Sequence, residues 1–114
     1  MHVVHHAHLP HELAPGESRV SVADAARGIQ AFEVWVRTLD ALACTDELRH
    51  EGELVVLAMC GSSGKLVLDG GPQRFDGPCT LLIPAQLRFQ IVNSAQTPLQ
   101  LVWVFTRAPM PVDG

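Results

Sequence analysis

Apolar and polar residues alternate along most of this chain, and glycine or proline breaks the alternation at short intervals. Phe32-Glu33-Val34-Trp35-Val36-Arg37 sets aromatic and β-branched residues against polar ones at period two, which predicts a half-buried strand. A second run, Asp40 to Thr45, predicts another strand, and the continuously apolar Leu54 to Cys60 predicts one buried on both faces. Gly61-Ser62-Ser63-Gly64 turns the chain into Lys65-Leu66-Val67-Leu68, and Asp69-Gly70-Gly71 is a strong hairpin signal. Gly70 and Gly71 are two successive positions able to take positive φ there, and valine at Gly61 or Gly70 is expected to strain the turns where φ is positive. Thr80 to Ile83 ends at Pro84; Arg88 to Asn93 and Leu99 to Thr106 complete the strands before a tail with Pro109 and Pro111. Only Ser21 to Arg27 predicts helix, of about two turns. About eight or nine strands separated by turns predict a closed barrel or two-sheet jelly roll rather than an open sheet.

The first 18 residues differ from the rest. His2, His5, His6, His8 and His11 fall here, followed by Pro10, Pro15 and Gly16, so residues 1–18 read as a His-rich N-terminal arm and 19–114 as a barrel domain. At 114 residues the chain is one domain able to bury roughly two thirds of its unfolded surface. A content of 47% apolar and 18% charged residues indicates a globular protein. The net charge of −4 argues against nucleic acid, which calls for a basic face. The longest apolar run, Leu54 to Cys60, is too short for a membrane helix, and the N-terminus lacks the basic and apolar blocks of a secretory signal. Cys44, Cys60 and Cys79 are odd in number and widely spaced, which suits reduced, packed thiols and a cytoplasmic location.

The segment from Phe32 to Thr106 resembles the cupin family. Gly61 stands where that family's first motif closes on a glycine, and Asp69-Gly70 where its hairpin turns. Gly77-Pro78-Cys79-Thr80-Leu81-Leu82-Ile83-Pro84 resembles the family's turn-and-strand segment, Asn93 its closing asparagine, and Leu99 to Phe105 its final strand. The resemblance implies an all-β fold of the cupin type, a double-stranded β-helix or jelly-roll barrel. It also implies a metal held by three histidines and a glutamate. Counted along the motifs, those positions hold Leu48, His50, Leu54 and Phe89, and a further glycine position holds Gln86. Leucine and phenylalanine have no lone pair for a cation, and one imidazole alone does not select a divalent metal. No cofactor is therefore expected; if there is one, it is a divalent transition metal such as Fe, Ni, Zn or Mn.

Without the metal ligands, Leu48, His50, Leu54, Gln86 and Phe89 are expected to form an apolar pocket for a small molecule, with Arg88 near its rim. Trp35, Trp103, Phe32, Phe75 and Phe105 read as packing. Two routes would restore a metal site. A bulge would swing Glu53 inward beside His50, with Glu47 and Glu51 near, and the arm would bring His6 and His8, which share a strand face, towards His50. Cys60 shares the strand face of Leu54, and small buried thiols are the expectation for it and for Cys79. The sequence contains no tyrosine, which argues against the metal-free sugar epimerases of this fold, whose mechanism pairs histidine with tyrosine. Three functions stay open on these residues. One is a carrier or sensor binding a small molecule in an apolar barrel, the second a metal-dependent oxygenase- or isomerase-like enzyme. The third is a ligand-sensing module acting through a partner. The resemblance further implies a homodimer in which the arm crosses to the partner, covering exposed sheet edges.

Overall fold

The computed structural model describes residues 3–59 and 61–106. Cys60, His2 and the tail with Pro109 and Pro111 lie outside the described residues. Among the described residues ten strands follow one another: β1 (Glu12–Ala14), β2 (Glu17–Ala23), β3 (Phe32–Leu39), β4 (Leu48–Arg49), β5 (Leu54–Ala58), β6 (Ser63–Leu68), β7 (Gly71–Asp76), β8 (Cys79–Ile83), β9 (Arg88–Asn93) and β10 (Leu99–Thr106). They form a six-stranded sheet in the order β1-β2-β3-β10-β5-β8 and a four-stranded sheet in the order β4-β9-β6-β7, every pairing antiparallel. This is the expected jelly roll. Residues 12–18 of the arm supply β1 and the start of β2.

The two sheets close on one core. Leu39, Leu54, Val56, Ala58, Leu81, Ile83, Leu99, Leu101 and Trp103 come from the larger sheet, and Leu66, Phe89 and Ile91 from the smaller. On β5 the buried residues are Leu54, Val56 and Ala58 while Val55 and Leu57 are only half-buried, so this strand alternates rather than being buried on both faces. No helix of the described residues is long and apolar enough to cross a membrane.

Two predicted elements differ. Ser21 to Arg27 is not two turns of helix: Ser21–Ala23 stay in β2, and only Ala25–Arg27 form a short 3-10 turn. The cause is local side-chain bonding that competes with a helix. The Ser21 hydroxyl donates to Asp24 Oδ2 at 2.5 Å, and Arg27 donates to both Asp24 oxygens. The Ser21 bond, with Arg27 behind it, holds the Asp24 carboxyl below its usual pKa.

Asp40 to Thr45 is not a strand either; only Cys44 makes a single bridge, to Val92. Asn93 claims this segment instead. Its buried amide donates to Asp40 O (2.9 Å) and Thr97 O (2.8 Å), while its Oδ1 accepts from Ala95 N (3.0 Å). The asparagine thus ties two loops to the end of β9, and the chain at 40–45 bends to meet it.

Of the two successive glycines in the β6–β7 turn, only the second takes positive φ. Gly71 has φ +110° and Gly61 +84°, whereas Gly70 is not among the positive-φ residues. Alanine at Gly70 is expected to change stability by less than about 0.5 kcal/mol, and alanine at Gly71 or Gly61 to cost about 1 kcal/mol or more. Urea unfolding of the three variants checks this, and equal costs at all three would contradict the turn geometry.

Candidate functional site

Period two decides what faces inward near one end of the barrel. On β10, Trp103 and Phe105 share a face with buried Leu99 and Leu101; on β3, Trp35 and Arg37 share a face with buried Leu39. The register sets Trp35 beside Trp103, Arg19 of β2 beside Arg37, and Leu48 of β4 beside Phe89 of β9. These side chains, with Glu12, Arg49 and His50, line an open cavity of about 230 Å³.

Its wall is aromatic and cationic. The Phe89 and Trp103 rings lie 5.9 Å apart, and His50 meets Phe105 edge-on at 4.8 Å. The Arg37 guanidinium lies 4.2 Å above the Trp103 ring and is ion-paired to Glu17. Arg19 Nε lies 2.9 Å from Glu12 Oε2. Trp35 Nε1 donates to Glu33 Oε1 at 3.1 Å. His50 follows β4 in a tight turn, its Nδ1 lying 2.9 Å from Gly52 O and 3.2 Å from Gly52 N, so the ring is held by the backbone beside it.

Leu48, His50 and Phe89 are thus brought together on this cavity, and Leu54 and Gln86 are not among its lining residues. Leu54 is 1% exposed in the core, in register with Ile83 and Phe105. Gln86 is an exposed anchor: its N–H donates to His50 O (2.8 Å) and its Nε2 to Glu51 O (3.2 Å). Its φ of +67° keeps the left-handed conformation that the family pattern fills with glycine. Arg88 is exposed and lies 3.6 Å from Glu47. Arg19, Arg37, Arg49 and Glu12 are lining residues that the sequence reading did not single out, and Trp35, Trp103 and Phe105 serve the cavity as well as the packing.

The donor set does not fit the metal that the family resemblance implies. Leu48 and Phe89 face each other across β4 and β9, and Leu54 is sealed in the core. The β5 register runs without a bulge, and Glu53 is exposed ahead of it. His6 and His11 line a hollow with Ser18, Val20, Val36, Thr38 and Gln100, the set that alternates with inward Trp35, Arg37 and Leu101, and with Arg19, which borders both spaces. Residues 6–11 of the arm therefore lie on the outer face of the six-stranded sheet, opposite the cavity, whereas Glu12 on β1 reaches the cavity itself. His6 and His8 belong to one short 3-10 turn there, with the His8 ring 5.6 Å from that of His5, and the sheet stands between them and His50. Among the described residues no three His, Cys, Asp or Glu side chains group closely enough to hold a metal.

The sequence matches no family model and no curated protein. Solved structures do match. The polyketide cyclase RemF from Streptomyces resistomycificus superposes with a TM-score of 0.81 at 18% identity, covering 93% of this chain and 79% of that one. An RmlC-like cupin from Shewanella frigidimarina gives 0.77 at 14% identity, covering 95% and 92%. A sugar phosphate isomerase from a cupin superfamily of Silicibacter pomeroyi gives 0.72 at 26% identity; the alignment covers 83% of this chain and 62% of that one, under two thirds of its length. The chain is thus an all-β jelly-roll barrel with a cavity opening at one end. Its fold is that of the cupin family.

Proposed function

We propose that this cupin-fold chain binds a small molecule in the cavity between Trp35, Trp103, Phe89 and Leu48, without a metal centre. The observation that carries this reading is the cavity itself: an apolar, aromatic wall with a few convergent polar groups, the usual build of a ligand site. Phe89 and Leu48 occupy positions that the family resemblance gives to metal ligands, so the space is walled by carbon where coordination chemistry would otherwise sit. The polyketide cyclase and the sugar phosphate isomerase on this fold act on small organic molecules, as their names state, which is in keeping with that use of the barrel.

Both tryptophans of the chain line the cavity, so intrinsic fluorescence reports this site alone. A panel of small neutral aromatic compounds is expected to change that fluorescence saturably, at one molecule per chain. Trp35→Leu, which leaves Trp103 as reporter, is expected to weaken binding up to about tenfold, the worth of one aromatic contact. No saturable change across the panel would sink the reading.

A further inference from the structure

The polar atoms around this cavity are donors far more than acceptors. Three arginines and one glutamate line it. Arg19 and Arg37 are direct cross-strand neighbours on the inward face, and like charges so placed repel unless counter-charge is supplied. Each has one carboxylate, Glu12 for Arg19 and Glu17 for Arg37. The Glu12 oxygen lies 2.9 Å from Arg19 Nε, an ion pair whose side chains are 41% and 57% exposed and which solvent screens. Trp103 Nε1 is buried with no acceptor among the described residues. Arg49 is exposed at the mouth and takes part in none of the ion pairs among the described residues. A buried donor left without an acceptor is costly, and a site rich in donors is complemented by a ligand that brings acceptors and negative charge.

The apolar half of the wall constrains the rest of the ligand. Two indoles and two phenyl rings present flat faces and edges, which favour a flat ring over a branched aliphatic body. The cavity, at about 230 Å³, lies below the range of roughly 300–1,000 Å³ common for drug-sized ligands, and so suits one or two fused rings. We infer that the cavity selects a flat aromatic anion of one or two rings, its ring against Trp35 and Phe89 and its anionic oxygens drawn to the arginine side, with Arg49 closing on them at the mouth. This inference rests on the small-molecule reading above and adds the ligand class. The anionic group is the shared chemistry of a carboxylic acid and a phosphate monoester, and the test separates the two.

The experiment is calorimetric titration of the full-length chain with 1-naphthoate, 1-naphthyl phosphate and the neutral isostere 1-naphthalenemethanol, repeated on Arg49→Gln. An anion is expected to bind at least about tenfold tighter than the alcohol, the size of one charge-assisted hydrogen bond. Arg49→Gln, a change on the exposed rim, is expected to remove most of that preference, read as the ratio of anion to alcohol affinity within each protein. Naphthoate ahead of naphthyl phosphate supports a carboxylic acid as the natural class, and the reverse order supports a phosphate monoester. Alcohol binding as tightly as both anions would overturn the anion inference and leave the small-molecule reading standing. A preference unchanged in Arg49→Gln would overturn the role given to that residue. No binding of any of the three compounds would overturn both readings together.

Discussion

Gly77→Ala is expected to destabilise the barrel by about 3 kcal/mol, the upper range for forcing a methyl into a packed site. A Cβ at this position would lie 1.8 Å from the Met59 carbonyl oxygen, 2.8 Å from its carbon and 3.3 Å from the Ser62 Cβ. Two of these three atoms are backbone, so no side-chain rotation relieves the contact. The backbone cannot easily yield either, because Gly77 N–H donates to Ser62 O at 2.7 Å and Ser62 N–H to Met59 O at 3.2 Å. The β7–β8 turn is therefore clamped onto the β5–β6 turn by hydrogen bonds that require the two chains to touch. Gly70→Ala is the control, since nothing lies within 4 Å of a Cβ there. Urea unfolding of both variants against the unaltered protein gives the measurement. A loss at Gly77 of under about 1 kcal/mol would mean that the two turns are not packed this closely.

The barrel was legible in the sequence because strand, turn and apolar pattern agree. β9 and β10 run where Arg88–Asn93 and Leu99–Thr106 predict them, and β3 begins at Phe32 as expected. The misreadings share one cause, side-chain hydrogen bonds that outweighed the apolar pattern: a tertiary set from Asn93 in one case and a local set around Asp24 in the other. Asn93 bent residues 40–45 out of a strand, and the Ser21–Asp24–Arg27 bonds kept 21–27 from becoming a helix. The wall of the cavity was harder to read. On β3 the aliphatic set is Val34 and Val36, and the obvious assumption turns that set inward. The structure turns Trp35 and Arg37 inward instead, while Val36 and its neighbour Val20 are buried on the outer face, beside the hollow lined by His6 and His11 of the arm. A sheet covered on both sides removes the contrast on which the parity rule depends. The remaining signal was the pairing of tryptophan with arginine two residues apart, a combination suited to cation–π stacking and to ligand walls. Motif position tracks the backbone, and His50, Leu48 and Phe89 lie on the wall of this cavity. Leu54 and Gln86 do not line it, because the corresponding positions serve core packing and loop anchoring here.

Arg37→Met is expected to cost about 3 kcal/mol, and the double change Glu17→Leu with Arg37→Met to return to within about 1 kcal/mol of the unaltered protein. The Arg37 and Glu17 side chains are only 13% and 10% exposed, so solvent screens their pair weakly. Removing the guanidinium leaves a carboxylate in a mostly dry wall and also uncovers the Trp103 ring it stacks on. Glu17→Leu alone is expected to be costly for the converse reason, since it leaves Arg37 directly beside Arg19 with one carboxylate between the two of them. Replacing both charges removes the desolvation cost along with the attraction, which is why the double variant recovers. Unfolding free energies of all four proteins close the cycle, and purely additive costs would show that the pair is not coupled in the folded state. The same four proteins bear on ligand choice. The double variant keeps the barrel and the aromatic wall but loses one inward cation, so it is expected to bind neutral aromatics as before and to prefer aromatic anions less strongly than the unaltered protein. Stability and anion preference thus part company at Arg37: the ion pair with Glu17 governs the first, and the donor excess around the cavity governs the second.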